Sequence, residues 1–195
     1  MNPIVVVHDV GGSGKAWRDA LTTWPSDAVA PDLVLETATG DRTDVVWLLI
    51  EQMEAWRDRD PIIVGCGEHS LAAETFALAG WVGGLVLVDG LGGAWTTPAE
   101  QAAAHNDWLR SKLEDPNLVG YPAVWVESFA KSLRANVACR VLLIETPASI
   151  TPPGEAERRA EQFARCAEVV RLDDADPARA LAAVRAWWDS GPDGG

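Results

Sequence analysis

The chain carries six short apolar runs: Ile4 to Val7, Ala28 to Ala30, Ile62 to Val64, Leu85 to Val88, Val141 to Ile144 and Val169 to Leu172. Their apolar residues are consecutive rather than alternating with polar ones, which is how strands covered on both faces are written. The stretches between them follow a helical period. Val46, Leu49, Ile50 and Met53 recur at offsets of three, four and seven, and Leu181, Val184 and Trp188 repeat that spacing near the end of the chain. Asp176-Pro177 opens the last of these helices well, with a capping carboxylate followed by a proline whose missing N–H costs nothing in a first turn.

Strands and helices thus alternate, and the spacing predicts an α/β protein with a predominantly parallel sheet of about six strands flanked by helices. Roughly fifty residues separate Val88 from Val141, and they contain helix-like segments over about Pro98 to Leu113 and Tyr121 to Leu133. A connection of that length reads as an insertion of about residues 94–135, a small helical lid on a single domain spanning 1–195. The closing Gly-Pro-Asp-Gly-Gly is expected to fray.

Composition narrows the partners. A formal net charge of −13 sets the surface against phosphate backbones, and no basic stripe interleaved with aromatics interrupts it, so nucleic acid is not an expected partner. No apolar run approaches the length that crosses a bilayer, and the start, MNPIVVVHD, has no basic leader, which leads to the expectation of a cytoplasmic protein without membrane contact. Three cysteines, Cys66, Cys139 and Cys166, are odd in number and lack zinc-type spacing. They suit buried thiols in a reducing compartment, with neither a metal nor another cofactor expected. Ten tryptophans are many for this length, as core filler or as the wall of a pocket. The alanine-, arginine- and tryptophan-rich composition suggests a high-GC bacterium, where specialised metabolism is one setting. The expected partner is a small-molecule or peptide ligand, and a homodimer is left open.

Candidate chemistry begins after the first strand, where Pro3 to Trp17 reads PIVVVHDVGGSGKAW. A glycine-rich turn between a strand and a helix lets backbone N–H groups converge on an anion. Asp9 to Ala16 resembles the P-loop pattern of nucleotide-binding proteins, but alanine stands where the Mg²⁺-binding hydroxyl belongs and Asp9 would face phosphate. Over a longer stretch the same run resembles the strand, His-Gly-x-Gly-Gly oxyanion loop and following tryptophan of the α/β-hydrolase superfamily. The resemblance continues in order through Ala30-Pro31-Asp32-Leu33, Gly84 to Asp89, and Val141 to Ile144 followed by Ile150 to Pro153.

That resemblance implies a nucleophile elbow, G-x-S-x-G, at Gly65-Cys66-Gly67-Glu68-His69, where Gly67 takes the place of the serine. A shift by three puts Ser70 there instead. It also implies a histidine after the last strand and an acid after the strand before it. No histidine follows His105, the loop after the last strand reads Leu172-Asp173-Asp174-Ala175-Asp176, and alanine occupies the expected acid position in Glu145-Thr146-Pro147-Ala148-Ser149. A degenerate member lacking the Ser-His-Asp triad is therefore expected. The catalytic candidates are His69, Asp89, Ser70 and His8. Asp9, Val10, Gly11, Cys66, Gly67 and Glu68 are candidates for the oxyanion loop and pocket, with the backbone N–H groups near Val10 and Glu68 as anion donors. Each has a bland alternative: His8 as a backbone-bonded structural residue, Cys66 as a buried thiol, His105 as a solvent-facing side chain. Three functions fit: a non-hydrolytic isomerase, lyase or cyclase acting on a small apolar or peptidic substrate, a ligand-binding accessory protein, and a residual hydrolase using Ser70.

Overall fold

The computed structural model describes residues 1–8, 14–32, 49–50, 53–90, 134–149, 154–163, 165 and 167–191, with the backbone alone at Glu68 and Leu71. Its elements are β1 (Ile4–Val7), α1 (Gly14–Leu21), β2 (Ala28–Val29), β3 (Ile62–Cys66), α2 (Ser70–Leu78), β4 (Gly84–Val88), β5 (Arg140–Glu145), α3 (Glu155–Ala160), β6 (Glu168–Arg171) and α4 (Pro177–Asp189). The six strands form one sheet in the order β2-β1-β3-β4-β5-β6, and every pairing is parallel. All six apolar runs are strands, shifted or extended at most ends by one or two residues.

Alternate strand residues point to opposite faces, and here each face has its own core. Val5, Val7, Ile63, Leu85, Leu87, Val141 and Leu143 pack with Leu49, Met53 and the inner side of α2. Ile4, Val6, Ile62, Val64, Val86, Val88, Leu142 and Ile144 pack with Trp17 and Leu21 of α1 and Leu181, Val184 and Trp187 of α4. Because both faces are covered, the inner strands are apolar in consecutive positions instead of alternating, with polar residues only at the ends of β5. The two edge strands are the least buried, and β6 carries Glu168 and Arg171 along its edge, a device that discourages further strand addition.

The last helix starts as its sequence foretold, with Asp176 accepting a hydrogen bond from the Ala178 N–H at 3.0 Å and proline in the first turn. Its inner stripe differs in one place. Trp187 is buried with Leu181 and Val184, whereas Trp188 is half-buried against Gly84, where an added Cβ would meet its ring at 2.6 Å. Arg140, the first residue of β5, donates to the carbonyls of Trp187 (2.7 Å) and Trp188 (3.2 Å) and stacks 4.6 Å over the Trp187 ring. A cation thus satisfies carbonyls that a helix C-terminus leaves unpaired. The expected insertion lies outside the described residues up to Arg134, and so does Val46.

Arg134 is buried at the start of the chain's return to the sheet. It donates to both oxygens of Glu74 on α2, at 3.2 and 3.1 Å, and to the Gln162 side chain at 2.6 Å. Removing one partner of such a pair strands a buried charge. Glu74→Ala should therefore destabilise the protein by about 3–5 kcal/mol in urea unfolding, and a Glu74→Leu/Arg134→Met double variant should recover most of that loss.

Candidate functional site

In a parallel sheet the loops at the carboxyl ends of the strands collect at one edge, and here they enclose a cleft of about 270 Å³. Its polar side consists of His8 from the end of β1, Cys66 and Gly67 from the end of β3, Asp89 from the end of β4 and Thr146 from the end of β5. Its apolar side consists of Ala16 and Trp17 of α1, Val88, and Ala175, Pro177 and Ala180 from the loop after β6 and the start of α4.

At Gly67 the backbone takes φ +52°, a left-handed value that glycine adopts without a Cβ penalty. Two residues earlier, Gly65 lets the strand and the next helix touch: a Cβ there would lie 2.7 Å from the Ala73 Cβ and 2.8 Å from the Ser70 Cα. This contact brings the first turn of α2 up to the end of β3. Ser70 opens α2 fully buried and outside the cleft lining, close to Gly90, whose added Cβ would sit 3.5 Å from the Ser70 Oγ.

His69 is likewise buried and outside the lining. Its Nδ1 bonds the His8 carbonyl oxygen at 2.5 Å. A carbonyl only accepts, so Nδ1 carries a proton. The two rings meet edge to face with centroids 6.3 Å apart. His69 thereby ties the turn after β3 to the end of β1.

Asp89 has φ +49°, which is strained for a residue with a side chain. Its N–H donates to the Ile144 carbonyl at 2.8 Å. Its carboxylate accepts from the Thr146 N–H at 2.7 Å on one oxygen and from the Thr146 hydroxyl at 2.6 Å on the other. Thr146 belongs to the loop whose alanine stood in the expected acid position. The loop carries no carboxylate into the cleft itself but grips the one that the neighbouring strand supplies.

The start of α1 is anchored by the segment after β2. Asp32, of the Pro-Asp-Leu segment, accepts from the Gly14 N–H at the start of α1 (2.9 Å) and pairs with Arg18 at 2.7 Å, while Arg18 also donates to the Ala30 carbonyl. A carboxylate already sits on a helix N-terminus that a P-loop would offer to phosphate, and this weighs against nucleotide binding.

The structure thus brings His8, Cys66, Gly67 and Asp89 together in one cleft, with Ser70 and His69 buried and outside its described lining. Asp9, Val10, Gly11 and His105 lie outside the described residues, as does the side chain of Glu68. Trp17, Thr146 and Ala175 were not singled out from the sequence. Thr146 had a usable signal, a hydroxyl in the loop after β5. Among the described residues no helix is long and apolar enough to cross a membrane, and no cluster of three metal-ligating side chains occurs.

Neither a family model nor a curated protein matches the chain. Solved structures do. A thioesterase domain from the curacin biosynthetic pathway superposes with a TM-score of 0.63 at 15% identity over 94% of this chain and 90% of that one. A naproxen esterase (carboxylesterase NP) from Bacillus subtilis gives 0.61 at 17% over 97% and 84%. A haloalkane dehalogenase loop variant from Bradyrhizobium elkanii gives 0.62 at 16% over 95% and 88%. The chain has the fold that these enzymes share, a six-stranded parallel sheet flanked by helices in the α/β-hydrolase arrangement.

The Arg18 hydrogen bond, with help from the Gly14 N–H, holds the Asp32 carboxyl below its usual range against some desolvation. A depressed carboxyl stabilises the folded state above the unfolded value of about 3.9 and stops doing so as pH falls through the folded value. Wild type should melt above Asp32→Asn at pH 7, and the gap should close as the melts are taken progressively below pH 4.

Proposed function

We propose that this α/β-hydrolase-fold chain is a non-hydrolytic enzyme, an isomerase, lyase or cyclase type, that moves protons on a small apolar or peptidic substrate held in the cleft. The observation that carries this reading is the set of groups facing the cleft. A carboxylate, Asp89, and an imidazole, His8, face it. The turn after β3 presents Gly67, and the loop after β6 presents Ala175. On the resemblance, Gly67 takes the nucleophile's place and Ala175 lies in the loop where the histidine is expected, and neither residue can attack or accept a proton. The left-handed φ of Gly67 and the close approach at Gly65 support the alignment that puts Gly67 in the serine's place.

In the proposed step the Asp89 carboxylate takes a proton from a carbon next to a substrate carbonyl. Negative charge moves onto the carbonyl oxygen, and backbone N–H groups at the turn into α2, Glu68 first, stabilise it. Where a β,γ-double bond conjugates with the enolate, the proton returns to the γ-carbon of that dienolate and the double bond moves into conjugation with the carbonyl, so that an isomerisation closes without a co-reactant. Trp17, Val88 and Pro177 give the substrate's apolar part a wall. Bacterial specialised metabolism offers such substrates, and one structural neighbour is a thioesterase domain of a biosynthetic pathway.

The second reading is a ligand-binding protein, favoured by that same apolar wall. The third, a hydrolase using Ser70, has to contend with a side chain fully buried and outside the described lining of the cleft.

Two measurements separate them. Intact-protein mass after incubation with a fluorophosphonate should show no adduct, and an adduct on wild type that is lost in Ser70→Ala would establish the hydrolase instead. In deuterated water, NMR of small ketones and thioesters should show enzyme-dependent exchange of α-protons, reduced about 10²- to 10⁴-fold in Asp89→Asn. Thermal stabilisation by these compounds without any exchange would favour the binding protein.

A further inference from the structure

Asp89 is held in an unusual manner, and its supports converge from beyond the cleft. A left-handed aspartate costs on the order of 1–3 kcal/mol and persists only where its surroundings dictate it. Ile144 and Thr146 hold Asp89 itself. The residue after it, Gly90, is held separately: Arg159 of α3 donates from Nη1 to the Gly90 carbonyl at 2.6 Å in the interior.

Arg159 is an expensive group to place there. It is 4% exposed, and among the described residues its Nε and Nη2 have no hydrogen-bond partner. The Glu155 carboxylate stands 3.5 Å from Nη2 as an ion pair without hydrogen-bond geometry. Burial, with the charge of Arg134 adding to it, pushes the guanidinium down to about 10. A desolvated arginine with one strong hydrogen bond is a poor stabiliser, so its position calls for a different explanation. Its bond lands on the peptide that follows the strained residue, and Arg159 and Asp89 border the same small cavity, of about 10 Å³, beneath the turn. Gly90 is tight on its other side as well, since a Cβ there would lie 3.3 Å from that of Ser70.

We infer that Arg159 is a positioning residue for the cleft carboxylate: by gripping the Gly90 carbonyl it fixes the left-handed turn at Asp89 and so keeps both carboxylate oxygens on Thr146. Its role in turnover rests on the reading of Asp89 as the proton-transfer group. The geometric claim does not, and it is tested without substrate.

The test is amide hydrogen exchange by NMR on the whole, ligand-free protein. Arg159→Met should speed exchange of the Asp89 and Thr146 amides about tenfold or more, the loss of one charge-assisted bond, and leave Leu181 and Val184 of α4 unchanged. Arg159→Lys, which keeps a cationic donor, should restore most of the protection. Unchanged Asp89 and Thr146 amides in Arg159→Met would overturn the inference. So would equal acceleration at Leu181 and Val184, which marks general destabilisation, or failure of the lysine to rescue. If Arg159→Met does not fold, Arg159→Gln is judged by the same four amides. Because no substrate enters, failure here is distinct from absence of α-proton exchange.

Discussion

Burial of a parallel sheet on both faces is the constraint on which the rest of this molecule depends. A strand inside such a sheet has no solvent face, so its residues are apolar in sequence, and a parallel neighbour is reached only by crossing over through a helix. Here α1 and α4 cover one face, α2 and α3 cover the other, and every strand runs in the same direction. The carboxyl ends therefore share one edge, and whatever those ends carry meets there. His8, Gly67, Asp89 and Thr146 are far apart in the chain and adjacent in the cleft for this reason alone.

Within that edge, the polar groups hold one another in place before they meet any ligand. His69 fixes the end of β1 through the His8 carbonyl. Asp32 and Arg18 fix the start of α1 and the exit of β2. Thr146 fixes Asp89, and Arg159 fixes the peptide beyond it. Two of these anchors are buried charges or imidazoles that contribute little to stability by themselves. Their cost is understandable if the cleft depends on a carboxylate whose direction does not wander. Pre-set polar groups in a water-poor cleft stabilise developing charge better than groups that must reorganise.

The left-handed turn after β3 and the close contact at Gly65 are features of backbone and packing, and Gly67 stands at the tip. Chemistry on this architecture depends on a few side chains at loop ends, and the fold fixes their positions without fixing their identity. That separation is why a likeness at 15 to 17% identity establishes the architecture and leaves the reaction to be argued from residues.

The sequence by itself determined the strands, the class of fold and the position of the last helix, because two-sided burial and capping are written locally, in runs of valine and isoleucine and in Asp176-Pro177. It also placed Asp89, His8 and Gly67 at strand ends, and therefore at the edge where the cleft forms. Only the tertiary structure decided which candidates face that cleft. His69 and Ser70 come only two and three residues after Gly67, yet the turn into α2 leaves both buried and outside the described lining of the cleft, since one residue along a helix is a rotation of about 100°. Trp187 took the inner position that spacing gave to Trp188, for the same angular reason. The partnership of Asp89 with Thr146, and of Gly90 with Arg159, spans 57 and 69 residues of chain. No local pattern encodes such a contact, since it exists only once the strands between are laid side by side.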